Sequence, residues 1–352
     1  GGLFVATVII AIMYLGLTFS LAEMSPAMPH TGGAYSFART AFGPWGGFLT
    51  GLAENVEYVM AAAVIVFFIS SYVLGILNLV FGEGAFGPEL QPVFWILGYV
   101  LFVGLNYLGV EQSFKFSLII TLLALACLVA FYVSAAQHID FNRWALNIGY
   151  DGSAATELQD GNGPLLPMGL WGVFAALPFA VWLFLAIEQL PLAAEESVDP
   201  KRDMPKGIML GMFTLIASAF LVLFLNPSVA GVGSYKLGSS AEPLLDGFRA
   251  IYGDGLAALL SAVAVTGLVA SFHAIIFAFG RQIYSVSRAG YFPTFLSITH
   301  GKRKTPHIAM VVGSLIGLAV MLAVWFIEGA DQGGLIIGGT LLNMAVFGAM
   351  FS

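Results

Sequence analysis

The sequence predicts an all-α protein that crosses a membrane many times. Its 352 residues are 59% hydrophobic and only 9% charged, with a mean hydropathy of +0.91. Soluble domains carry about a quarter charged residues. The apolar residues are gathered into runs long enough for a bilayer core, which takes roughly 20 per helix. The short alternating segments of a membrane β-barrel are absent. Helices remain, because lipid offers backbone groups no partner outside the segment.

Nine runs are long enough to cross. Residues 3–22 are an uncharged, largely apolar run that stops at Glu23, a helix-end acid expected to pair with a cation such as Arg39. The run over 45–81 exceeds what a bilayer needs, so tilt or an extension beyond the membrane is expected. Runs 93–110 and 114–136 are parted by the polar piece EQS. A long stretch rich in Gly, Asp and Asn, 138–167, leads into 169–194. That run closes on Glu195 and Glu196, both expected to face water. The charged stretch ESVDPKRDMPK precedes 207–232. The next connection holds Pro243 and a short amphipathic piece, AEPLLDGFRAIYG. Runs 255–280, 308–327 and 334–351 complete the set.

Charge gives the orientation. Ten of the thirteen Lys and Arg fall in the connections after runs one, three, five and seven: Arg39, Lys115, Lys201, Arg202, Lys206, Arg281, Arg288, Lys302, Arg303 and Lys304. Arg143, Lys236 and Arg249 fall on the other side. The positive-inside rule assigns the larger set to the cytoplasm. The chain begins GGLFVATV and stops in an apolar run at Ser352, which reads as a piece cut at both ends inside a membrane domain.

Several chemistries lack their residues. One cysteine, Cys127, excludes an intramolecular disulfide and reads as a small core thiol. The five His are scattered without metal-ligand spacing, so neither metal nor cofactor is expected. GEGAFG at residues 82–87 matches GxGxxG but lacks the strand–turn–helix setting that binds pyrophosphate. No P-loop, HExxH or GxSxG is present, which argues against a built-in ATPase motor and against an enzyme. No basic stripe with interleaved aromatics points to nucleic acid.

The informative residues are acids in apolar runs, because an intramembrane carboxylate normally faces a cavity, a partner or a transport path. Glu54 and Glu57 are three apart on one helix face, with Asn55 and Tyr58 beside them. Interhelical hydrogen bonding is the alternative role. Glu188 lies inside FLAIEQLPLAAEES, with Gln189 and Pro191 following and Pro178 ten residues before. Proline removes a backbone donor and frees a carbonyl one turn back. A broken membrane helix of this kind is how many secondary transporters expose backbone to a ligand. A kinked helix with a hydrogen-bonded Glu is the plainer reading. His273, in VASFHAIIF, is either a packed, hydrogen-bonded residue or a proton relay. Trp182 and Phe184 either gate a pocket or pack.

Three stretches together resemble the amino acid–polyamine–organocation (APC) superfamily. AEMSPAMPHTGGAYSFARTAFGPWGGFLTGLAENVEY is similar to that family's second helix, first cytoplasmic loop and third helix. FLAIEQLPLAAEESVDPKRDMPKGI is similar to its broken sixth helix and exit, and RQIYSVSRAGYFPTFLSITHGKRKTPHIA to its loop between helices eight and nine. Within the superfamily, GLAENVEY and AIEQLPLAAEES are most similar to bacterial ethanolamine permeases.

The resemblance implies an inverted-repeat (5+5) transporter fold in the bacterial cytoplasmic membrane. This chain would cover about helices 2 to 10: residues 1–136 in the first repeat, an outer loop over 137–168, and 169–352 in the second repeat. It implies that Phe184, Leu185 and Ala186 fall where the sixth helix unwinds, with Ala186 replacing the glycine common in the family. Trp182 would match a gating aromatic, and Glu188 a position acidic in many relatives. The substrate site would then take in Glu57, Tyr58, Trp182, Phe184, Leu185, Ala186 and Glu188, with Glu54 and Asn55 as secondary members. Proton coupling would rest on Glu188 or His273. The expected function is secondary active transport of a small organic amine, most similarly ethanolamine, by alternating access, with a proton or counter-substrate as partner. An amino acid permease is the alternative within transport; a non-transporting receptor or assembly subunit is the alternative outside it.

Overall fold

The computed structural model describes residues 1–30, 32–146, 165–238 and 240–352. Most of the polar stretch predicted over 138–167 therefore lies outside the described residues. Among those described, the backbone is nearly all helical, and eight helices are long and apolar enough to cross a membrane. They are built from α1 (Gly2–Ala27), α2 (Gly33–Phe81), α3 (Gln91–Leu108), α4 (Val110–Ala135), α5 (Gly169–Trp182) with the 3-10 segment Ile187–Glu196, and α6 (Pro200–Ser228). The short helices α7 (Gly233–Leu237) and α8 (Pro243–Tyr252) follow, then α9 (Asp254–Arg288), α10 (His307–Ile336) and α11 (Leu342–Phe351). Eight of the nine predicted runs thus become full spans. The ninth is the shorter apolar helix Ile337–Phe351, which opens with a π turn.

The long second run has a local explanation. Gly43, at φ 76° and ψ −168°, interrupts α2, and Pro44 follows it. Only glycine takes this conformation without strain. Residues 33–42 therefore form a separate helical piece, and the spanning part begins after it. α2 is the centre of the molecule: 72% of its most apolar window is buried, against 17–33% for the other spans. Its small residues Ala61, Ala62 and Ala63 are almost completely covered, which lets neighbouring helices approach closely. It packs most extensively on α9, and also on α11, α10 and α3, while α1 packs on α5 and α6.

One boundary differs from expectation. α9 continues past residue 280 to Arg288. Arg281 is therefore a buried helical residue rather than a loop cation. At the other end of the molecule α8 caps the bundle. The Leu244 N–H donates to the Tyr72 hydroxyl at 3.0 Å, and the Asn226 amide donates to the Pro243 carbonyl at 2.9 Å. The amphipathic piece predicted around Pro243 is this helix.

Candidate functional site

The break predicted near Glu188 is present. α5 ends at Trp182; the Phe184 and Leu185 N–H groups both turn back to the Val181 carbonyl, each at 3.0 Å. Ala186 then takes φ 81° and ψ 0°. This left-handed conformation costs an L-residue with a Cβ about 1–2 kcal/mol. After it the chain runs for ten residues as a 3-10 helix containing Pro191, a length well beyond the usual three or four. The Ala186 N–H is freed by the turn and donates to Glu188 Oε1 at 2.7 Å. The acid thus anchors the break, and its other oxygen, Oε2, is buried with no hydrogen-bond partner among the described residues.

α2 supplies the facing side. Glu54, Glu57 and Tyr58 are all fully buried. Tyr58, four residues after Glu54, donates its hydroxyl to Glu54 Oε1 at 3.2 Å. Glu54 Oε2 accepts the Tyr35 backbone N–H at 3.2 Å and the Gln282 side-chain amide. Glu54 therefore joins α2, the piece before the Gly43 kink, and α9. Glu57 is different: among the described residues its carboxyl group has no N–H or O–H donor other than the Glu188 carboxyl, with which it can share a proton. Its carboxyl is the immediate electrostatic neighbour of Glu188. Tyr14 of α1 stands near both acids, with its ring 5.8 Å from that of Phe184.

No Lys, Arg or His partners Glu54, Glu57 or Glu188 among the described residues. An unpaired buried charge is too costly to persist. Two adjacent carboxyl groups in a dry site need a proton or a cation between them. Glu54 is already supplied with three donors, so the open chemistry belongs to Glu57 and Glu188. The arrangement can hold an ammonium group or exchange protons.

The remaining predicted residues lie in different places. Phe184 is fully covered and Leu185 is half-buried in the same core. Asn55 turns back on its own helix, donating to the Gly51 carbonyl at 2.6 Å. Trp182 lines a cavity of about 360 Å³, mostly apolar, with Phe68, Tyr72, Pro243 and Leu244, and none of the three acids lines it. Phe68 is eleven residues from Glu57 along α2, roughly 16 Å. His273 forms a third location. Its ring lies between Phe102 and Phe116, and its Nδ1 is 3.0 Å from the Asn106 amide. Glu23 forms no ion pair with Arg39, whose guanidinium donates to the Tyr35 hydroxyl at 3.0 Å.

Four contributors were not picked out from the sequence. Tyr14 is the one tyrosine in an apolar run that also holds Thr7, Thr18 and Ser20, a weak signal that was available. Gln282 and Arg281 lie past the predicted end of their helix. Arg281 pairs with Glu196, which is consequently held to α9 rather than free in water. Gly348 of α11 lies so close to α2 that a Cβ there would fall 2.7 Å from the Ala53 carbonyl oxygen and 2.8 Å from the Glu57 nitrogen.

The family model described as "Amino acid permease" matches residues 1–352. An uncharacterized transporter of Rhizobium meliloti is 31% identical over 316 residues, which cover 89% of this chain and 63% of that protein. The branched-chain amino acid permease BcaP of Bacillus subtilis is 26% identical over 91% of this chain and 68% of its own length. The methylthioribose transporter of the same organism is 24% identical over 82% of this chain and 60% of its own length. The chain thus spans about three fifths to two thirds of the length of these relatives. Their names are those of transporters rather than enzymes.

Proposed function

The chain belongs to the amino acid permease family, and from that premise we propose that it is a secondary active transporter of a small organic amine in the bacterial cytoplasmic membrane. Ethanolamine is the leading substrate. The observation that carries this reading is the pair Glu57 and Glu188: two buried, adjacent carboxyl groups that have, beyond a proton shared between them and the Ala186 N–H on Glu188, neither a donor nor a protein cation beside them among the described residues. An ammonium group supplies the missing charge and up to three N–H donors. Ethanolamine has no carboxylate to be repelled by that site.

Alternating access is supported by how the helices pair. If α1 to α4 and α6 to α11 belong to two inverted repeats, the equivalent helices are α1 and α6, α2 and α9, and α3 and α10. Each of these three pairs is in contact, which fits helices lying near a two-fold axis; the fourth pair, α4 and α11, is not in comparable contact and would lie away from it. Residues 1–136 and 169–352 are then parts of the two repeats. A proton is the proposed coupling ion, carried on Glu188. His273 is a weaker second choice, because it is engaged with Asn106 away from the acids.

An amino acid is the second reading, favoured by the name of the Bacillus relative BcaP. Uptake of labelled ethanolamine into proteoliposomes holding the full-length protein, against a panel of unlabelled amino acids, separates the two. Ethanolamine should be accumulated and resist competition by leucine, isoleucine and valine. Efficient competition by those three would transfer the assignment to amino acids.

A further inference from the structure

The connection between α9 and α10 carries a feature that transport does not use. Between Asp254 and Glu328, over residues 255–327, the sequence contains no acidic residue. Within that interval Lys302, Arg303 and Lys304 stand consecutively, and all three are exposed. The other cation-rich connection, Ser197 to Lys206, interleaves Asp199 and Asp203 with Lys201, Arg202 and Lys206. Positive-inside topology counts cations and is nearly indifferent to acids, so it accounts for both connections equally. It does not account for the shape of the first.

That shape is fixed. The Lys304 N–H donates to the His300 carbonyl at 2.8 Å, and the His300 N–H donates to the Thr305 carbonyl at 2.9 Å. The Arg303 N–H donates to His300 Nδ1 at 3.2 Å. Lys304 takes φ 57°, a left-handed conformation rare outside glycine. Strained backbone of this kind points to a constraint other than chain connection. The Arg303 guanidinium lies 4.3 Å over the Tyr107 ring at the end of α3. Beside the turn, Phe295 is 51% and Ile298 48% exposed. Basic groups are thus held next to uncovered apolar side chains at the end of a membrane span.

We propose that the Lys302–Arg303–Lys304 turn, with Phe295 and Ile298, is a docking surface for anionic phospholipid, taking the headgroup phosphate on the cations and the upper acyl chain on the apolar pair. Charge complementarity selects this occupant. Juxtamembrane cations are drawn to anionic headgroups at close range, and no acid in the segment competes for them. The apolar pair adds what a soluble phosphate would not use.

The test uses the full-length protein in micelles containing equimolar phosphatidylglycerol and phosphatidylcholine, with retained lipid counted by native mass spectrometry. Each exposed cation is worth roughly fivefold in anionic-lipid preference, so the unmodified protein should retain phosphatidylglycerol at least about tenfold over phosphatidylcholine. Lys302→Gln/Arg303→Gln/Lys304→Gln should bring that ratio close to one, while Lys201→Gln/Arg202→Gln/Lys206→Gln should leave it unchanged. Soluble glycerol phosphate should not displace the lipid. Equal retention of both lipids by the unmodified protein, equal loss in the two triple variants, or displacement by glycerol phosphate would each overturn the proposal.

Discussion

Glu57 of α2 and Glu188 of the unwound segment are neighbouring carboxyl groups in a site that supplies no cation, and apart from a proton they can share with each other, only Glu188 Oε1 has a hydrogen-bond donor. That asymmetry divides the work. Glu188 is fixed by the Ala186 N–H, whereas Glu57, fully buried, has only the Glu188 carboxyl to meet.

Glu57→Gln should therefore weaken substrate binding more than it disturbs folding. Removing the charge from a desolvated carboxylate–ammonium pair should cost on the order of 2–5 kcal/mol of affinity. Binding of ethanolamine to the purified variant, measured by calorimetry beside its melting temperature, checks this. Unchanged affinity in a folded variant would assign Glu57 to helix packing.

Glu188→Gln separates three roles. A Gln imitates the protonated acid permanently. If Glu188 carries the coupling proton, accumulation driven by a pH gradient should vanish, while substrate-for-substrate exchange survives and loses its pH dependence. If it binds the ammonium directly, both should fall together at every pH. If it only anchors the break, Gln is a fair replacement and both assays stay near normal. The proposed coupling role expects the first pattern.

Ala186→Gly should stabilise the protein. Ala186 occupies φ 81°, and glycine removes the steric cost of that conformation, roughly 1 kcal/mol after its greater flexibility in the unfolded chain is counted. Ala186→Val should do the opposite by a larger amount. Melting temperatures in one detergent order the three: Gly highest, Val lowest.

Gly348→Ala tests the closeness of α11 and α2. The new methyl would stand 2.7 Å from the Ala53 carbonyl oxygen and 2.8 Å from the Glu57 nitrogen, both backbone atoms. The helices must separate, at a cost of about 1–3 kcal/mol, and Glu57 moves with its backbone. A lower melting temperature with reduced substrate affinity is expected. Gly104→Ala, which meets nothing within 4 Å, should be silent in both measurements.

Glu242 gives the α8 cap a pH response. It lies at the start of α8, where partial burial, reinforced by the Asp246 charge, pushes its carboxyl up to about 7. Asp246 itself pairs with Lys236 at 3.4 Å, and Arg249 nearby is held by Glu83 and Asp254. The folded state keeps the Glu242 proton to about pH 7, while an unfolded glutamate releases it near pH 4.3. The folded state then binds more protons between those values, so its stability falls as pH rises through that window. The loss should be on the order of 3–4 kcal/mol. Melting curves from pH 4 to 8 should show this decline reduced in Glu242→Gln.

Much of this was legible in the order of residues. Apolar length marked the spans, because a bilayer demands roughly 20 residues of uninterrupted greasy helix whatever the neighbours are. Glu54, Glu57 and Glu188 stood out because a carboxylate in such a segment is expensive and needs a reason. The break at residues 183–186 was announced by Pro191 and by family wording, and it formed even with alanine where glycine is common.

Other features had no one-dimensional trace. Gln282 follows a helical run and carries no sign that its amide would reach Glu54, 228 residues away along the chain. Trp182 and Glu188 are six residues apart, yet the unwound turn between them puts one against an apolar cavity and the other against Glu57. By itself the sequence determined which segments enter the membrane and which acids they carry, because solvation acts on each residue where it stands. Only the tertiary structure decided that Glu54 is satisfied while Glu57 and Glu188 are left to each other. Hydrogen bonding at a buried carboxyl depends on which distant donors the fold brings within about 3 Å.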